Sequence, residues 1–169
     1  ARALAAAGRS GWGRAWPGAA ADRGGAGMSL RAHRVATVAF ARVEVRKGLE
    51  DKPRRQYGAI AHKLPGMILQ NGLAQASGFL LAKGANADDD HHSWLLDDLN
   101  AVLRAGGSLD APDREALHQR IIAADLAETL RLTRAALEAS GWLKRYVQGL
   151  LRISATGDDA NETDRQEGS

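Results

Sequence analysis

The sequence predicts an all-α fold, a compact single-domain bundle of about five to seven helices. Three observations lead there. Hydrophobic residues make up 44% of the chain but aromatic residues only 5%, so Ala and Leu carry the apolar content, and both favour helix over strand. Apolar positions recur at helical spacing, while alternating strand-like segments are almost absent. Gly, Pro and Asp fall between the apolar segments, where helices start and stop.

The first helix is expected over 29–50. Its stripe runs through Val35, Val38 or Ala39, Arg42 and Val45, leaving Arg31, Arg34, Arg46 and Lys47 outside. Ser29 can cap its start, and Asp51-Lys52-Pro53 stops it. A second helix opens at Pro53 and carries Arg54, Arg55, Tyr57, Ile60 and His62. Pro65 is expected to break or kink it just after Leu64, since proline cannot donate to the preceding turn. Residues 65–83 are apolar almost all round, which predicts a central buried helix. One polar stripe remains there, Asn71, Gln75 and Gly78, and it must meet another polar element or open to a partner. Mid-helix glycines at 72 and 78 would cost about 1 kcal/mol each against Ala, offset where a neighbouring helix approaches closely.

Residues 84–90 form a polar loop, followed by a helix over about 91–104. Leu95, Leu99 and Val102 make its stripe, joined by Leu96 and Leu103, and Gly106-Gly107 ends it. Pro112, Asp113 and Glu115 open the next helix, with Leu117, Ile121, Leu126 and Leu130 inside, running to about Ser140. Ser140-Gly141 is the expected break. A last helix then places Trp142, Tyr146 and Leu150 beside Leu143, Val147 and Leu151.

This pattern divides the chain into three parts. Residues 1–28 are expected to be a disordered extension, with Met28 as the natural start; 29–153 form the helical domain; 154–169 are a disordered acidic tail. The net charge of +3 conceals an asymmetry. Residues 31–63 hold nine basic residues against three acidic ones, a balance of +6, whereas 155–169 hold one Arg against five acids, a balance of −4. A basic block suits a polyanion, and equally suits a solvated helix face. There is no Cys, so disulfides and thiolate metal sites are excluded. No run approaches the ~18 apolar residues of a membrane span, and a cytoplasmic setting is expected.

Catalytic signatures are sparse. His91-His92 stands beside Asp89, Asp97 and Asp98, a composition a metal hydrolase could use. Adjacent histidines on one helix point about 100° apart and seldom chelate one ion. His-Glu-x-x-His, the phosphate-binding Gly-x-x-x-x-Gly-Lys loop and the Gly-x-Ser-x-Gly elbow are all missing. No cofactor is expected. Two basic segments interleave with aromatics: Arg54, Arg55, His62 and Lys63 around Tyr57, and Lys144 and Arg145 between Trp142 and Tyr146. Such mixtures can grip phosphates while stacking bases, or can be core anchors with cations snorkelling outward.

The run from Tyr57 through His62-Lys63-Leu64-Pro65-Gly66 to Asn71-Gly72-Leu73-Ala74-Gln75-Ala76, continued by Phe79-Leu80-Leu81, resembles the hallmark segment of the small subunit of type III-B CRISPR effector (Cmr) complexes. A second block is similar to that family's C-terminal helices: Leu130-Arg131-Leu132-Thr133-Arg134 and Trp142-Leu143-Lys144-Arg145. The resemblance covers roughly 30–152. It implies a helical, non-catalytic subunit in antiviral defence, stacking as a minor filament and helping to accommodate target RNA. The implied partners are the other subunits of the complex, neighbouring copies of itself, CRISPR RNA and target RNA, with no membrane. On this reading Arg46, Lys47, Arg54, Arg55, Lys63, Lys144 and Arg145 are the candidate RNA contacts, and Asn71 and Gln75 serve subunit contact or packing. The competing readings are a small helical metal-dependent hydrolase using the His91/His92 region, and a helical regulator of duplex DNA, for which no convincing recognition helix is present.

Overall fold

The computed structural model of the chain describes residues 23–86 and 90–155, with side chains from residue 30 onward. The expected disordered tail and most of the expected extension lie outside the described residues. Helix α1 spans Arg23–Val45 and so passes through Ser29, which is an interior residue and not its cap. Its buried stripe is Val35, Ala39 and Val43, which meets the expected stripe at Val35 and Ala39 and departs from it with Val43 in place of Arg42. Steps of four from Val35 set that face, which leaves Val45 exposed and Arg42 on the flank. A short 3-10 turn, Arg46–Gly48, leads into α2, Asp51–Asn71.

Pro65 does not break α2. The buried face continues across it, with Tyr57, Ala61 and Leu64 before and Ile68 after. Burying Leu64 and Ile68 contributes about 1.5–3 kcal/mol each, enough to offset the roughly 3 kcal/mol that an interior proline costs. The break comes instead at Gly72, whose φ of 83° and ψ of 159° lie in a region open essentially to glycine alone. Its N–H donates to the Ile68 carbonyl at 3.0 Å, and its carbonyl accepts from Ala76 N–H at 3.1 Å. Gly72 thus closes α2 and opens α3, Leu73–Gly84. The expected single buried helix over 65–83 is therefore two helices meeting at a solvent-facing corner. Leu69 is 72% exposed there, and Gln70, Asn71 and Gln75 are exposed as well. Gly78 does meet a close neighbour: a Cβ there would lie 3.2 Å from the His118 ring.

Helix α4, His91–Ala105, is the axis of the bundle and, among the described residues, packs against all five other helices. Leu95, Leu96, Leu99, Val102 and Leu103 are all buried. After Gly106 and Gly107 the chain forms α5, Arg114–Ile122, and α6, Leu126–Tyr146. These two were expected to be continuous. Asp125 separates them by capping α6, its side chain accepting from Glu128 N–H at 2.9 Å, a capping residue with an acid three positions on. Leu126 and Leu130, expected inside, are consequently exposed, and the inner stripe is Leu132, Ala135, Ala136, Ala139 and Leu143. No break occurs at Ser140-Gly141. Ser140 Oγ donates to the Leu137 carbonyl, and Ala139 and Leu143 anchor the helix on either side. A π-helical turn, Val147–Leu151, ends α6.

Beyond it the chain doubles back onto α2. Ile153 is 1% exposed, and a Cβ at Gly58 would stand only 2.6 Å from its Cγ2. His62 Nε2 hydrogen-bonds the Ile153 carbonyl at 2.8 Å.

Candidate functional site

The basic segment of 31–63 is divided by its partners. Arg42 and Arg46 turn inward onto Asp98, which is fully buried on α4. Arg42 Nε donates to Asp98 Oδ1 at 2.6 Å, Arg46 Nη2 to the same oxygen at 3.0 Å, and Tyr57 O–H to Oδ2 at 2.7 Å. The Arg46 guanidinium is also stacked 5.5 Å from the Tyr57 ring and 5.2 Å from the Trp94 ring. Burial, then the Asp98 charge, pushes the Tyr57 phenol well above its ordinary pKa, so it stays a donor. The cluster ties α1 and α2 to α4. With a side chain only 11% exposed, Arg46 has its charge committed inside the fold.

Arg54 and Arg55 share Asp51, one and the same carboxylate, at 2.9 Å each. The Arg55 hydrogen bond leads in holding that carboxyl below its ordinary pKa. Lys47 lies 3.9 Å from Glu44. Lys63 is exposed with no partner among the described residues, and it borders a cavity with Gln56, Met67, Phe79, His91 and His92. Lys144 is half-buried, while Arg145 is exposed and lies over the Trp142 ring at 5.3 Å. Trp142 in turn stacks on Tyr146, with 5.6 Å between centroids. Both aromatics pack against the core, with cations at the margin.

The expectation that His91 and His92 diverge is overturned. Their rings stand 4.0 Å apart because both turn back to Asp90, the cap of α4. Asp90 Oδ2 takes the His92 N–H at 2.9 Å and lies 2.6 Å from His92 Nδ1; Oδ1 lies 3.0 Å from His91 Nδ1. Burial raises the Asp90 pKa, but the His92 hydrogen bonds and both imidazole charges bring it below its ordinary value. Burial, then the His92 charge, lowers that of His91. These three are the one group among the described residues whose donor atoms lie close enough for a shared metal ion. Asp97 and Asp98 do not join them: Asp97 is engaged by both Nε and Nη2 of Arg114, at 2.7 and 2.9 Å, and Asp98 by the arginine cluster. A serine–histidine contact also exists, Ser77 Oγ to His118 Nδ1 at 2.8 Å, but Ser77 is buried and the pair ties α3 to α5.

Two surfaces were not singled out by reading the sequence. Arg131 and Arg134 on α6 border a cavity with Arg31. Ile122, Leu126 and Leu130 are exposed apolar residues, and Ile122 lines a cavity with Leu73, Ala74, Ile121 and Leu132. That cavity sits at the α2–α3 corner, beside the segment that carries Asn71 and Gln75. Helical spacing on 126–134 carried the signal for both surfaces, once α6 is known to begin at Leu126.

Residues 31–150 match the family model described as CRISPR-associated protein (Cas_Cmr5). The chain belongs to the Cmr5 family. Among curated proteins it is similar to the CRISPR system Cmr subunit Cmr5 of Thermus thermophilus, 35% identical over 108 residues that span 64% of this chain and 86% of that protein. The crystal structure of a CRISPR-associated Cmr5 family protein from Thermus thermophilus superposes with a TM-score of 0.60 at 33% identity, covering 71% of this chain and 96% of the other. The Cmr5 match contains every candidate residue discussed above.

Proposed function

We propose that this chain is the non-catalytic small subunit of a type III-B CRISPR RNA-guided complex, stacking in its minor filament and helping to accommodate target RNA. Family membership across 31–150 carries the reading. The surface supports it in two ways. Ile122, Leu126 and Leu130 are exposed apolar residues, Ile122 lines a cavity with Leu73 and Ala74 next to the corner that exposes Asn71 and Gln75, and exposed apolar residues with polar neighbours suit protein contacts. Exposed cations such as Lys63 and Arg145 leave charge available for a polyanion.

The test is co-expression of the chain with the remaining subunits of its complex and purification through one of them. Stoichiometric recovery is expected, and Leu126→Asp with Leu130→Asp should abolish it while the isolated variant keeps its helical spectrum. Failure of the unaltered chain to co-purify would sink the reading. So would metal-dependent RNA cleavage by the purified chain that disappears on His91→Ala with His92→Ala, which would establish the hydrolase instead.

A further inference from the structure

A cavity of about 560 Å³ opens between the start of α1, the α4–α5 turn and the first half of α6. Three guanidinium groups border it, those of Arg31, Arg131 and Arg134, against a single carboxylate, Glu138. Each of the three side-chain nitrogens of Arg31 is engaged: Nη1 donates to Glu138 at 2.7 Å, Nε to the Gly106 carbonyl at 3.0 Å and Nη2 to Ser108 Oγ at 3.3 Å. It neutralises Glu138 and fixes the floor. Arg131 gives Nη1 to the Ser108 carbonyl at 2.8 Å, while its Nη2 stands at 3.4 Å from Glu128. Arg134 is exposed and has no partner among the described residues. The backbone at Gly107 is open, with φ of 66° and nothing within 4 Å of where a Cβ would be.

The arrangement leaves one planar fork unused and a second partly used, one helical turn apart on the same face. Glu138 offsets Arg31 and Glu128 stands beside Arg131, so Arg134 is the one cation of the three with no carboxylate partner among the described residues. A guanidinium fork matches the paired oxygens of phosphate. Exposed Leu130 offers an apolar flank beside the forks. We propose that this cavity seats a backbone phosphate of single-stranded RNA, gripped by Arg134 and Arg131 over the floor set by Arg31. This deepens the functional reading above and rests on it, since that reading supplies the RNA.

The full-length chain is titrated against a labelled oligouridylate at low salt, followed by anisotropy. Arg134→Gln should weaken binding several-fold, and Arg131→Gln with Arg134→Gln by about tenfold or more, with the log–log salt slope falling by about 0.7 for each phosphate no longer neutralised. Arg134→Lys should restore the slope but not the full affinity, because charge returns without the fork. Arg34→Gln, which removes an exposed charge outside the cavity, is the control. An equal loss from Arg34→Gln would reduce the effect to net charge and overturn the proposal. Absence of any binding by the unaltered chain at low salt would overturn it too. Competition separates the anion sources: inorganic phosphate displacing RNA at equal phosphate concentration would assign a small-anion site, and polyglutamate displacing it from the unaltered chain alone would assign an acidic protein partner. Either result refutes the RNA assignment. A chain that assembles with its complex but whose cavity variants bind RNA normally refutes the cavity and leaves the proposed function standing.

Discussion

At the scale of single residues, Asp98 is a fully buried acid on which three helical segments converge. It receives two arginines and a tyrosine from helices that precede it in sequence by 41 to 56 residues. Asp98→Ala removes the shared acceptor and leaves Arg46 and Tyr57 without it in the interior. A loss of about 3–5 kcal/mol is expected, the cost of breaking a buried charge cluster from one side, read from urea unfolding. Tyr57→Phe removes one neutral donor and should cost about 1 kcal/mol. The Asp90–His91–His92 group makes a separate statement about pH. His91 titrates below its ordinary value near 6.5, so the unfolded chain binds the proton more readily than the folded one. Its contribution is therefore complete above pH 6.5 and is lost as pH falls toward the folded value. The urea midpoint should decline across that window, and His91→Asn should flatten the decline. An identical pH profile in the variant would show that other groups carry it. None of these pairings was readable from the chain alone. Charge density drew attention to 31–63, but the acid that claims Arg42 and Arg46 lies on a helix that begins at residue 91.

At the scale of elements, helix existence was legible and helix breaks were not. The apolar periodicity of 91–105 was read almost to the residue because Gly106-Gly107 follows it. Two expected breaks, at Pro65 and at Ser140-Gly141, do not occur, and two that do occur, at Gly72 and at Asp125, interrupt stretches expected to be continuous. Proline at 65 was outweighed by packing on both sides, glycine at 72 took a conformation no other residue shares, and Asp125 capped a helix whose start looked like a continuation. Gly72 and Pro65 give opposed expectations. Gly72→Ala has open space but a forbidden backbone, and should cost about 1–3 kcal/mol. Pro65→Ala restores a donor to the middle of α2 and should stabilise by about 1–3 kcal/mol, less the entropy that alanine returns to the unfolded chain. Thermal unfolding of the two variants measures both. Stabilisation by Gly72→Ala would mean that α2 and α3 are one helix.

At the scale of the whole molecule, composition announced an all-α bundle, and the segment from Tyr57 to Ala76 announced the family. The candidate interaction surface was less legible, because helix registers decide it. The Asp125 cap sets where α6 begins and so decides which of its leucines and arginines face outward. The closure of the bundle is a global property in the same sense. Ile153 fills the slot left by Gly58, so Ile153→Ala should cost about 2–5 kcal/mol. Gly58→Ala should also destabilise, by about 1–3 kcal/mol through overpacking. Because the two share one space, their double variant should be less unstable than the sum of the singles, and a double-mutant cycle read by urea unfolding tests this. Strict additivity would show that the two residues do not meet. The same packing has a consequence for synthesis. His62 and the Ile153 carbonyl are 91 residues apart in sequence, and a growing chain adds about 5–20 residues per second. Helix α2 is thus made several seconds before the residue that covers it. Throughout that interval the face of α2 that Ile153 covers stays open, a place where a chaperone or a premature neighbour can engage the chain.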